Sequence, residues 1–69
     1  MIVIVNEKQV EVDGQTTVAA LLQSLGYPDR GVAVAFDLAI LPRSDWETTL
    51  SELSAEPVRL EVVSAVQGG

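Results

Sequence analysis

Cysteine and histidine are both missing from the 69 residues. Without cysteine there is no disulfide framework, no thiolate metal site and no thiol nucleophile. Without histidine the commonest general base and the commonest metal ligand are gone. Ser24, Ser44, Ser51, Ser54 and Ser64 therefore have no imidazole to activate them, and Lys8 is the sole lysine. These absences argue against an enzyme in its own right, and neither a metal site nor a bound cofactor is expected. Basic side chains are scarce, four against ten acidic ones, for a net charge of −6. A polyanion would be repelled, so nucleic acid is a poor partner. The charge serves solubility, or steering toward a basic docking surface. No stretch approaches the ~20 apolar residues of a membrane span. The opening MIVIV lacks the basic flank and the length of a signal peptide, so no membrane partner is expected and the cytoplasm is the expected compartment.

What is present is apolar: 48% of the residues are hydrophobic, too many for a disordered chain. A single small domain is expected, burying only about 60% of the surface its unfolded chain exposes. Ile2 to Val5 is an uninterrupted β-branched run and reads as a strand covered on both faces. Asn6 suits a tight turn, after which Val10 and Val12 alternate with Gln9, Glu11 and Asp13 in the period of a half-exposed strand. Asp13-Gly14 reads as a turn and Thr16 or Thr17 as a helix cap. Val18, Leu21, Leu22 and Leu25 then form one apolar stripe of a helix near Thr17 to Leu25, ended by Gly26 and Pro28.

Beyond the helix, Val32, Val34 and Phe36 share one face of a third strand, with Ala33 and Ala35 on the other. Asp37 is a turn residue, and Ala39 to Leu41 a short fourth strand closed by Pro42. Ser44 and Glu47 have the spacing of a capping box. Trp46, Leu50 and Leu53 follow at helical spacing, so a short helical segment, or an irregular loop anchored by Trp46, covers one end of the core. In the last strand Val58, Leu60 and Val62 face in, with Arg59, Glu61 and Val63 opposite. A single helix across one face of a mixed sheet is the α+β arrangement of a β-grasp, or ubiquitin-like, domain spanning residues 1–63. The other face then has no helix over it. Either Ile2 and Ile4 or Val3 and Val5 point outward there, together with Val63, as an apolar surface suited to a partner.

Residues 64–69, SAVQGG, form the expected tail. Two successive glycines cannot be there for stability, because glycine loses the most backbone entropy on folding. Six extended residues reach roughly 20 Å, at about 3.3–3.6 Å each. Gly68 and Gly69, without Cβ atoms, make the slimmest thread for a narrow channel, with Gln67 and Val66 as spacers or contacts. The carboxyl group of Gly69 is ionised at neutral pH and is a poor electrophile until it is joined to a phosphate as a mixed anhydride, with AMP as the leaving group.

The whole chain resembles the ThiS family of sulfur carriers of thiamine biosynthesis. The residues that carry the resemblance are IVIVN, the helix TTVAALLQSLG, the strand VAVAF, the segment LPRSDW and the ending LEVVSAVQGG. The resemblance implies that a ThiF-type activating enzyme uses ATP to adenylate the Gly69 carboxylate. A cysteine desulfurase or rhodanese-type protein then supplies sulfur, and the resulting thiocarboxylate delivers it to thiazole synthase, ThiG. Asp37 stands where the family often has asparagine, and Ala55 to Pro57 where it often has Gly-Asp. The small subunit of molybdopterin synthase, which is usually longer and richer in proline before its tail, is the second choice. A carrier for another sulfur pathway is the third. A ubiquitin-like modifier, joined through Gly69 to lysines, or a plain interaction module with an idle tail belong to different classes.

Overall fold

The computed structural model describes residues 1–28, 30–55 and 57–64. Its elements follow the order β1 (Ile2–Val5), β2 (Lys8–Glu11), α1 (Val18–Ser24), β3 (Val32–Phe36), β4 (Ala39–Leu41) and β5 (Val58–Ser64). The strands form one sheet in the order β2-β1-β5-β3-β4. β1 and β5 are parallel, with Val3 opposite Val58 and Val5 opposite Leu60, while the other pairs are antiparallel.

Both hairpins turn through two successive residues in the left-handed region. Asn6 and Glu7 have φ of 50° and 71°, and Asp37 and Leu38 have 59° and 67°. That pairing of positive angles matches the right-handed twist of the flanking strands. Asn and Asp tolerate it, whereas a leucine is an uncommon occupant.

The helix is short and depends on its ends. Thr17 is the cap, and its hydroxyl oxygen accepts from the Ala20 amide at 3.1 Å. The two amides before it are satisfied from outside the helix. The N–H of Val18 donates to the Thr48 carbonyl at 3.1 Å and that of Ala19 to the Trp46 carbonyl at 2.9 Å. At the other end the Tyr27 amide reaches back to the Leu22 carbonyl and Gly26 to Gln23, at 3.0 and 3.1 Å. Gly26, at φ 89°, closes this two-bond cap where a Cβ would be strained.

The core lies between the helix and the sheet. Val18, Leu21 and Leu22 from α1 meet Val3 and Val5 of β1, Val34 of β3, and Val58, Leu60 and Val62 of β5, with Trp46 and Leu50 sealing one end. Burying each such side chain contributes about 1.5–3 kcal/mol. No helix among the described residues is long and apolar enough to cross a membrane.

Five expectations from the sequence are corrected here. β1 is not covered on both faces: Val3 and Val5 are buried, while Ile2 and Ile4 point to the open side. Leu25 leaves the apolar stripe, because the helix ends at Ser24 and the chain turns before the next core position. It is 39% exposed. Of the two readings of the segment around Trp46, Leu50 and Leu53, the single helix is not the one found, and the Ser44–Glu47 box does not form. Two 3₁₀ turns, Arg43–Asp45 and Leu50–Leu53, stand there instead, neither with a side-chain cap. The reason is that the backbone here is spent on tertiary bonds, beginning with the carbonyls of Trp46 and Thr48. They face α1 and accept from its first amides. The amides of Leu50 and Ser51 are likewise used on the carbonyls of Thr16 and Gly14. Finally, β5 runs to Ser64, which pairs with Val32, so the strand takes in the residue at which the tail was expected to start.

Candidate functional site

Alternation along each strand decides which side chains line the open face of the sheet. Ile2 and Ile4 come from β1, Ala33 and Ala35 from β3, Ile40 from β4, and Arg59, Glu61 and Val63 from β5. Gln9 and Glu11 border it on β2, opposite Ile4 and Ile2. Of the two alternatives left by the sequence, it is therefore the isoleucines that face out.

The face is not uniform. Arg59 and Glu61 form a charged row on the central strand, and apolar surface lies on either side of it. The larger apolar part is at the β3–β4 end. There Ile40 is 68% exposed, Val63 62%, and Leu38 at the tip of the turn 101%. An open depression runs between them, bordered by Ala35, Arg59 and Glu61. Leu38 contributes nothing to the core and occupies a left-handed position that a leucine rarely adopts. Neither property favours the fold, and both are understandable if the side chain is held out for a partner.

Where β5 approaches Ser64, a polar network gathers. The Asn6 side chain accepts from the Val62 N–H at 2.7 Å, donates to the Val62 carbonyl at 3.1 Å and donates to the Tyr27 hydroxyl at 3.3 Å. From its local sequence Asn6 reads only as a turn residue. A carboxamide directly after a β-branched run was the available signal, but its partner lies 56 positions away and no local pattern points to it.

On the helix side, the Arg43 guanidinium stacks 4.8 Å from the centre of the Trp46 ring, whose indole N–H donates to the Leu41 carbonyl at 3.3 Å. This ties the LPRSDW segment to the end of β4. Among the described residues no three His, Cys, Asp or Glu side chains gather as metal ligands. None of their buried side-chain nitrogens or oxygens lacks a hydrogen-bond partner. The residues expected to carry chemistry, Gly69 with Gly68, Gln67 and Val66, lie outside the described residues. What is described is the platform that ends at Ser64.

A five-stranded mixed sheet in this order, with one helix across one face and a bare opposite face, defines the protein as a β-grasp domain of the ubiquitin-like class. Within that class it belongs to the ThiS family, whose sequence model matches residues 3–69. Among solved structures the chain is similar to a thiamine biosynthesis protein (ThiS) from Geobacter metallireducens. The two are 26% identical with a TM-score of 0.70, and the match covers 100% of each chain. No curated protein matches it.

Proposed function

We propose that this chain is a sulfur carrier in thiamine biosynthesis and that the carboxyl group of Gly69 is the atom group that is worked on. The observation that carries this is the family match, which extends through the Gly68–Gly69 end. The body itself brings neither thiol nor imidazole, so the chemistry is supplied by partners.

The steps follow from the reactivity of a carboxylate. One carboxylate oxygen attacks the α-phosphorus of ATP on a ThiF-type activating enzyme. Pyrophosphate leaves, and a mixed anhydride with AMP remains. A persulfide sulfur from a cysteine desulfurase or rhodanese-type donor then attacks the carbonyl carbon and expels AMP. A second thiol on the partner attacks the inner sulfur–sulfur bond of this acyl persulfide. That attack forms a partner disulfide and leaves the thiocarboxylate on Gly69. Thiazole synthase, ThiG, receives the sulfur, and the carboxylate is regenerated. No cofactor resides on the carrier, and ATP is consumed on the activating enzyme.

The open sheet face is the surface by which the body docks, so that the residues after Ser64 reach the partner's active site. Leu38 anchors it. Leu38→Asn keeps a residue that accepts a left-handed backbone but removes the apolar side chain. Stability should stay within about 0.5 kcal/mol, while the KM for the activating enzyme rises roughly five- to tenfold, the size of a truncated interface anchor. Unchanged KM would remove Leu38 from the docking surface.

Gly68→Ala tests the thread. A methyl group in a channel fitted to glycine should lower the adenylation rate by about 10-fold or more, read as ATP–pyrophosphate exchange. The proposal as a whole is decided by the mass of the protein purified from its own cells under growth without thiamine. One terminal oxygen replaced by sulfur is the expected result. A ladder of conjugates through lysine, with no sulfur-bearing species, would place the chain among the modifiers instead.

A further inference from the structure

We infer that Asn6 is a positioning residue: its side chain supplies the last rung on the β1 side of β5 and so fixes where, and in which direction, the chain leaves the sheet. The inference rests on the reading that Gly69 is the working group.

β1 ends at Val5, where the chain turns away through Asn6 at φ 50°. β5 continues for four more residues past Leu60, the partner of Val5, to Ser64. Along a strand, the N–H and carbonyl of alternate residues point to the same neighbour. Leu60 directs its carbonyl to the Asn6 backbone N–H at 3.0 Å, so Val62 directs its own groups to the same side. No residue of β1 is left to meet them. The Asn6 carboxamide does so in its place. It is planar and carries one acceptor and two donors, the equipment of a peptide group with one hydrogen to spare. It takes the Val62 N–H at 2.7 Å and gives to the Val62 carbonyl at 3.1 Å, bonds that in a continued parallel β1 would be divided between the Asn6 backbone carbonyl and the amide two residues on. The spare hydrogen goes to the Tyr27 hydroxyl at 3.3 Å.

The orientation of the amide is therefore fixed by its partners, since only the oxygen can accept from Val62. Tyr27 is in turn placed by the closing bonds of the α1 cap, where its own N–H reaches the Leu22 carbonyl. Three separate parts of the fold meet at this point: the first hairpin, the end of the helix and the last strand. Beyond it, β5 is held through β3 alone, by Val63 opposite Ala33 and Ser64 opposite Val32. Val62 lies seven residues before Gly69 (69 − 62). A loose rung shifts the point from which that length starts, and a displacement of about 1 Å at a reacting group costs on the order of 100-fold in rate. Asn6 itself is exposed, so its side chain adds little to the core.

Two variants separate this role from a merely structural one. Asn6→Gly keeps the left-handed turn, which glycine adopts freely, and deletes the rung. Asn6→Asp keeps the size and the acceptor but cannot donate to Val62 or Tyr27. In the isolated ¹⁵N-labelled chain, Asn6→Gly should raise the exchange rate of the Val62 amide about tenfold and lower the order parameters of Val62 to Ser64 below about 0.6. The amides of Leu21 and Leu50, which donate to Thr17 and Thr16, should be unmoved. With the activating enzyme and ATP, kcat for adenylation should fall about tenfold at unchanged KM, with Asn6→Asp in between. Equal acceleration at Leu21, Leu50 and Val62 would make Asn6 a global stabiliser and overturn the inference. So would unchanged order parameters, or unchanged kcat in the presence of a loosened β5. A wild-type chain that is never adenylated would overturn the proposed function, while the relaxation data would still decide the rung.

Discussion

A chain that stops at Gly68 is expected to fold as before and to lose thiocarboxylate formation by about 100-fold or more. The same loss is expected when one residue is added after Gly69. In both cases the carbonyl that reaches the activating enzyme's nucleotide is displaced by one residue, about 3.3–3.6 Å of extended chain. That shift is several times the misplacement that already costs on the order of 100-fold. Stability should not follow. Every buried side chain among the described residues lies at or before Val62, and the described pairing of β5 ends at Val62 on the β1 side and at Ser64 on the β3 side. The measurement is a mass spectrum after incubation with the activating enzyme, ATP and a persulfide donor, beside a circular dichroism melt of each chain. A truncated chain that still acquires sulfur removes Gly69 from the chemistry. A truncated chain that has lost its folded signal shows instead that the end belongs to the fold.

Leu21→Ala should have the largest effect on stability. Leu21 is fully buried between α1 and the sheet, and truncating such a leucine costs about 2–5 kcal/mol. At roughly 0.05–0.15 kcal/mol per residue, a chain of this length has only about 3–10 kcal/mol in all. The variant should therefore be largely unfolded at 37 °C or close to it. Alanine is the best helix former, so the loss is one of packing and not of helix propensity. Leu25→Ala is the matched control. It lies four residues on, at the helix cap and partly exposed, and should cost less than about 1 kcal/mol. Urea midpoints at constant m-value compare the two. Equal losses would mean that Leu25 belongs to the core after all, as its spacing in the sequence suggests.

The contrast between these two leucines shows where sequence periodicity stops being informative. Val18, Leu21 and Leu22 are read correctly because the helix exists around them. Leu25 keeps the spacing but has lost the helix, since the Gly26 cap ends it one residue earlier. The alternation in β5, and in β3 around Val34, is equally readable, because a strand in the middle of a sheet has one buried face and one open one. β1 misleads for a different reason. Four β-branched residues in a row suit a strand with two covered faces, but here the outward pair, Ile2 and Ile4, lies on the bare side of the sheet.

The region from Arg43 to Leu53 is the least readable. Its buried anchors, Trp46 and Leu50, are plain from their types. Its backbone is decided by a tertiary need, the uncapped amides of Val18 and Ala19, that no nearby residue announces. The Asn6 rung is hidden in the same way, by a partner at the far end of the chain. As for the site, the apolar outer face is legible in alternation, while the expected role of the Gly-Gly end falls outside the described residues. The turn that presents Leu38 is legible only as a turn, because left-handed angles at a leucine are not what a leucine suggests.

The side-by-side placement of β1 and β5 also has a temporal consequence. The central strand of the sheet is the last one made, and the strands on either side of it, β1 and β3, have no common neighbour until it arrives. Contacts this distant in sequence form late and slowly. A nascent chain still lacking residues 58–64 has no strand to join β1 to β3, so neither the sealed interior nor the open face exists until those residues have emerged.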